Sequence, residues 1–259
     1  MPATPERIVS MDFCADQYVL QLADRDQILA LSPDSTQDFA YLNKEAEGIA
    51  TVRATAEEVL TLQPDLVVRS YGGGPNITQV LKAAGIPVLQ VGWASSVDGE
   101  SVGSIPSVIQ TMADGLGVPE RGQELIRVYR QRLADLPKVE AESSTNVLYL
   151  TPAGSTTGSG SMIHDVLTRA GLTNFESTAG WREVELERLA YETPDVIAAS
   201  FFDTTLKDVA RWSSSRHPII KRQLDDSKTV QLPGAWTTCG AWFIVDAIEA
   251  LAEKRASLQ

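Results

Sequence analysis

One pattern occurs twice in this chain. Glu57-Glu-Val-Leu-Thr-Leu-Gln-Pro64-Asp-Leu-Val-Val in the first half lines up with Glu187-Arg-Leu-Ala-Tyr-Glu-Thr-Pro194-Asp-Val-Ile-Ala in the second. Each copy has a Glu at the head of a helical stretch, Pro-Asp seven positions on, and then an apolar run that reads as a strand. A single Pro-Asp marks only a helix-to-strand turn. Two copies at matching places point to two related halves built from the same unit.

The surrounding hydrophobic pattern agrees. Strands are expected at residues 7–10, 27–31, 65–69 and 86–91, with helical spacing over 56–62 and 77–84. The second half repeats the rhythm, with strands at 146–150, 195–199 and 228–232 and helices near 162–170, 185–190 and 241–256. Short Val/Ile/Leu runs alternating with amphipathic stretches signify βαβ units and a mostly parallel sheet. Between the halves, residues 119–136 open on Pro119, carry Leu125, Tyr129, Leu133 and Leu136 on one face, and stop at Pro137. Such a helix is roughly 26 Å long, enough to span a lobe. The expected fold is therefore α/β: two Rossmann-like lobes with mostly parallel central sheets, joined by one long helix. The N-terminal lobe is placed at residues 1–103, the helical linker at 104–137 and the C-terminal lobe at 138–259.

Composition removes several functions. The 259 residues include 34 acidic and 22 basic side chains, a net charge of −12. With no Lys/Arg run there is no stripe for phosphate backbones, so nucleic acid is excluded as a partner. An anionic membrane surface is disfavoured for the same reason, and no apolar run approaches the ~20 residues of a membrane span. The opening Met-Pro-Ala-Thr-Pro-Glu-Arg has no apolar signal core. That leaves a cytoplasmic protein, or a chain from which the signal has been removed. Two histidines, His164 and His217, and no short ligand spacing give no metal site.

Catalytic signatures are equally sparse. The glycine-rich segments 71–75 and 151–160 are each expected to run from a strand to a helix, where α/β sheets bind ligands. Neither is a nucleotide loop: the second lacks a P-loop Lys, and Gly158-Ser-Gly160 lacks a third glycine. No catalytic residue or cofactor is assigned, and the chain reads as a non-enzyme. The competing reading is a two-lobed enzyme using Cys14, or a carboxylate such as Asp12 or Asp16. Trp93, Trp181, Trp212, Trp236 and Trp242 mostly fall just past expected strands or at helix starts, where they can line a cleft or cap a core. Arg53, Arg69 and Arg182 fall in comparable strand-to-helix loops, as anion-binding forks or as solvated surface.

Taken together, these residues resemble a known family. The carriers are Arg7-Ile-Val-Ser-Met-Asp, Thr55 to Val67, Leu81-Lys-Ala-Ala-Gly-Ile-Pro-Val, Gly160 to Leu172 and Glu187 to Ile197, in that order and spacing. The chain is similar, nearly end to end, to the periplasmic substrate-binding proteins of ABC importers for cobalamin and ferric siderophores. The resemblance implies a ligand cleft between the lobes, drawing on Arg53, Arg69, Tyr71, Trp93, Trp181, Arg182, Phe202 and Trp236. It implies that Glu57 and Glu187 dock on an inner-membrane permease, and that the protein is a periplasmic monomer. Haem-binding relatives carry a Tyr ligand seven residues before the first-lobe Glu, where Ala50 stands here, so haem is disfavoured. Manganese and zinc relatives need more histidines than this chain has. The expected ligand is a ferric siderophore, with cobalamin as the alternative. Cys14 and Cys239 both fall on segments expected near the cleft, as a disulfide, a thiol ligand or two inert thiols.

Overall fold

The computed structural model describes residues 4–99, 103–137, 145–201, 217–225 and 228–258. The chain divides into two compact units, residues 1–94 with 98–128, and residues 95–97 with 129–259.

In the first unit the order is β1 (Ile8–Ser10), α1 (Phe13–Leu22), β2 (Ile28–Ala30), α2 (Ala56–Thr61), β3 (Leu66–Arg69), α3 (Ile77–Ala83), β4 (Val88–Gln90) and α4 (Ile105–Gly115). The sheet runs β2-β1-β3-β4 and every pairing is parallel. β1 and β3 are buried along their whole length, which is why they read as continuous apolar runs rather than alternating ones. Val9 and Val67 of these strands pack with Val59 of α2 and with Ile77 and Leu81 of α3.

Helix α5 (Pro119–Ala134) carries the chain from the first unit to the second, the division falling between Val128 and Tyr129. Gly122 sits so close to Ala113 of α4 that a Cβ there would lie 2.4 Å from that methyl.

The second unit contains β5 (Asn146–Leu150), β6 (Ser155–Thr157), α6 (Met162–Arg169), β7 (Thr173–Asn174), β8 (Trp181–Glu183), α7 (Leu186–Tyr191) and β9 (Val196–Phe201). It continues with α8 (Pro218–Asp225), β10 (Thr229–Pro233), α9 (Gly234–Thr237) and α10 (Ile244–Ala256). Its main sheet, β10-β9-β5-β7, is again wholly parallel. Arg132 of α5 is tied to Asp246 and Glu249 of α10 at 2.5 Å each. Buried Arg255 gives its guanidinium to the carbonyls of Ala170 and Pro137.

The repeated Pro-Asp has the same structural job in both units. The Asp65 carboxylate accepts from the Arg7 and Glu6 N–H groups while its own N–H donates to the Arg7 carbonyl. The Asp195 carboxylate accepts from the Asn146 N–H while its own N–H donates to the Asn146 carbonyl. Each Asp thus clasps the head of the neighbouring central strand, at Arg7 just before β1 or at Asn146, the first residue of β5.

Two features depart from the sequence reading. Residues 151–160 do not form one simple strand-to-helix turn. Ser155–Thr157 forms β6, antiparallel to β8, and Gly158 lies against Thr178, where a Cβ would come 2.0 Å from the carbonyl oxygen. Helix α1, absent from the sequence reading, buries Cys14, Ala15, Asp16, Gln17, Tyr18, Val19 and Leu22. A helix covered nearly all round shows no amphipathic stripe. Among the described residues no helix is long and apolar enough to cross a membrane.

Removing either clasp deletes charge-assisted bonds at a strand start. Asp65→Ala and Asp195→Ala are each expected to cost about 1–2 kcal/mol. The two losses should add, because the clasps lie in separate units. Denaturant unfolding of the single and double variants measures this.

Candidate functional site

Because β1, β3 and β4 run parallel, their carboxyl ends meet at one edge of the first unit. Ligands of open α/β sheets bind outside such edges. The edge is organised by Asp12, which follows β1 and is 3% exposed. One carboxylate oxygen accepts from the Ala15 N–H at 3.0 Å and caps α1. The other accepts from three successive N–H groups, Ser70 at 2.7 Å, Tyr71 at 3.1 Å and Gly72 at 2.9 Å.

Three aromatic rings lie along this edge. Phe13 makes edge-to-face contacts with Phe39 at 4.9 Å and with Tyr71 at 6.1 Å between centroids. Tyr71 is 52% exposed. Its partial burial and the charges of Asp12, Asp34 and Asp16 push its hydroxyl pKa well above the ordinary phenol value. Tyr71 is therefore a neutral hydrogen-bonding phenol at physiological pH. Trp93, beyond β4, is 73% exposed.

Arg69 ends β3 and is only 8% exposed. One guanidinium nitrogen donates to the Thr78 hydroxyl at 2.8 Å, while the buried Nε finds no acceptor among the described residues. No carboxylate of the described residues lies within ion-pair distance of it, in contrast with the other two arginines singled out in the sequence. Arg53, before α2, is exposed and pairs with Glu58 through both side chain and backbone. Arg182 lies in β8, paired with Glu185 at 2.8 Å and 3.9 Å from buried Glu176. The three arginines therefore do not occupy equivalent positions.

In the second unit, Trp181 of β8 is 59% exposed and meets buried Tyr149 of β5 edge-on at 6.0 Å. Trp236 sits half-buried in α9 directly after β10. Trp242 is buried against Phe243 as a core residue. Phe202 and Trp212 lie outside the described residues. Glu57 and Glu187 are both exposed in the first turn of a short helix, α2 and α7. Neither cysteine is a free thiol. His164 Nδ1 lies 3.4 Å from the Asn174 amide, and His217 Nδ1 accepts the Ile219 N–H. Among the described residues no group of three or more His, Cys, Asp or Glu could hold a metal ion.

The sequence signature of the periplasmic binding protein family matches residues 8–208. The chain belongs to that family. It is 24% identical over 204 residues to a cobalamin-binding protein of Halobacterium salinarum, covering 76% of this chain and 54% of that protein. The chain thus spans about half the length of this relative. It is also 24% identical over 212 residues to a vitamin B12-binding protein of Yersinia pseudotuberculosis, covering 79% of this chain and 73% of the other. Among solved structures, a periplasmic heme-binding protein from Roseiflexus superposes with a TM-score of 0.75 at 20% identity, covering 97% of this chain and 98% of that one. The vitamin B12-binding protein of Vibrio cholerae gives 0.64 at 19% identity, covering 99% and 98%. These likenesses show the α/β fold of two-lobed periplasmic binding proteins.

Sequence reasoning did not single out Phe13 and Phe39. Phe13 directly follows Asp12, named above only as a candidate carboxylate, whereas Phe39 lies in a stretch with no periodic signal.

The two edge carboxylates also do different work. Asp16 is fully buried and accepts from the Ser32 N–H at 3.1 Å and the Ser32 hydroxyl at 2.6 Å. Burial pushes its pKa up to about 6 and the charge of Asp12 adds to the rise, against the hydrogen bonds that pull it down. A carboxyl that keeps its proton longer in the native state stabilises the fold at low pH and loses that contribution as pH rises from about 4 through about 6. Wild type should lose roughly 2–3 kcal/mol relative to Asp16→Asn between pH 4 and pH 7. Denaturant midpoints across that range check it; parallel profiles for the two proteins would remove Asp16 as the cause.

Proposed function

We propose that this protein is the substrate-binding component of an ABC importer, capturing a ferric siderophore outside the cytoplasm and delivering it to an inner-membrane permease. Ligand contacts come from aromatic and arginine side chains of each unit. Arg69, Tyr71 and Trp93 serve on the first; Trp181 and Trp236 serve on the second. Arg53, Arg182 and Phe202 remain candidates from the resemblance, although the first two already hold carboxylate partners.

The observation that carries this reading is Arg69. Burying a guanidinium without a counter-charge is costly, and among the described residues no carboxylate pairs with this one, at the edge where such sheets bind ligands. An anionic oxygen ligand, such as the donor set of a ferric chelate, would supply the missing counter-charge. The protein acts as a monomer with no cofactor of its own and as a carrier rather than an enzyme. Asp12 has both oxygens taken by backbone N–H groups, and Cys14 offers no free thiol.

Cobalamin is the second reading. The curated relatives named for cobalamin or vitamin B12 favour it, as do the exposed Trp93 and Trp181, which suit a broad apolar ligand.

Tryptophan fluorescence titration separates the two. A ferric catecholate that binds wild type should bind Arg69→Ala at least about tenfold more weakly, while cyanocobalamin affinity should be indifferent to that change. No response to either ligand at tens of micromolar would sink the proposal. Independently, reversing Glu57 and Glu187 to Arg should leave the Kd unchanged and abolish permease-dependent uptake. Uptake that survives would remove these residues as docking contacts.

A further inference from the structure

Asp12 makes an unusual set of bonds. Its carboxylate, almost wholly buried, takes four backbone N–H groups. Three successive N–H groups converging on one oxygen form an anion-binding nest, and here the protein fills that nest with its own side chain. The loop after β3 is therefore unavailable to a phosphate or carboxylate ligand, and its backbone is fixed instead. A second constraint acts from the same side. Gly72 lies so close to Met11 that a Cβ would stand 2.3 Å from the Met11 carbonyl oxygen.

Two of the three rings of the aromatic row hang on this one group. Tyr71 is the middle residue of the three that donate to it. Phe13, whose ring lies between Phe39 and Tyr71, is the first residue of the helix that Asp12 caps. We propose that Asp12 is a positioning residue for ligand recognition: by bridging the N-terminus of α1 and residues 70–72, it sets the geometry of the Phe39–Phe13–Tyr71 row against which the ligand lies. This rests on the carrier function proposed above. The role requires a carboxylate, because only it accepts at both oxygens; an amide offers one acceptor and presents N–H groups on its other side.

Asp12→Asn is the discriminating variant. Asn is as good a helix cap as Asp, so α1 keeps its start while the nest loses its acceptor. Hydrogen exchange reads this without any ligand. The amides of Ser70, Tyr71 and Gly72 should exchange at least about tenfold faster than in wild type, with those of Val67 and Val68 unchanged. Titration with cyanocobalamin and a ferric catecholate reads the consequence. Whichever binds wild type should bind Asp12→Asn about tenfold more weakly. Tyr71→Ala should show a similar loss, and combining the two should add little, since residues acting through one another are not additive. A merely structural Asp12 would lower the melting temperature and leave the losses multiplicative. Unchanged exchange at residues 70–72, or multiplicative losses, would overturn the proposal. If neither probe binds wild type, the carrier reading fails, and the exchange result alone decides whether Asp12 holds the loop.

Discussion

The parallel run of the strands in each main sheet is the constraint from which the rest follows. It gives each unit a single edge where every strand ends at its carboxyl terminus, and there the chain can leave the sheet without breaking its ladder. In the first unit that edge gathers Asp12 after β1, Arg69 at the end of β3 and Trp93 beyond β4. At the opposite edge the Pro-Asp clasps hold the starts of β1 and β5 by the same exchange of bonds in both units. One edge is tied down by repeated backbone contacts, and the other is free to carry chemistry.

Charge at the free edge is arranged against the composition of the chain. The molecule carries a net −12, yet among the described residues the buried cation Arg69 has no carboxylate partner while Asp12 and Asp16 are satisfied internally. Asp12 is saturated by N–H groups. Asp16 is bonded to Ser32, and burial raises its pKa to about 6. Among the described residues neither carboxylate pairs with Arg69, and on the reading proposed here the guanidinium is left to receive an anion. The same acids raise the pKa of the Tyr71 hydroxyl, so that ring contributes an apolar face and a neutral donor rather than a phenolate ligand.

Much of the fold was legible because parallel strands buried on both faces read as short continuous apolar runs, as Val67 and Val68 do. The doubled Pro-Asp was legible because the two units repeat one clasp. What escaped has identifiable physical reasons. Helix α1 is buried nearly all round, Asp16 and Gln17 included, and so shows no stripe. Strand β6 hides in a glycine-bearing stretch, its position fixed by the close approach of Gly158 to Thr178. At the site, Arg53, Arg69 and Arg182 look alike in sequence. Only tertiary context separates the one without a carboxylate from the two that have Glu58 and Glu185. The four bonds of Asp12 join residues 12, 15 and 70–72, a long-range juxtaposition that no local pattern encodes. The aromatic row is hidden for the same reason, since Phe39 comes from a stretch without periodicity.

The central claim is that Arg69 is held without a carboxylate partner so that it can bind an anionic oxygen of the ligand. A crystal structure of the protein with a bound ferric catecholate tests this most directly. The account predicts a ligand oxygen within hydrogen-bond distance of the Arg69 guanidinium, with Tyr71 in contact with the same ligand. A bound ligand that leaves Arg69 bonded to Thr78 alone would contradict it.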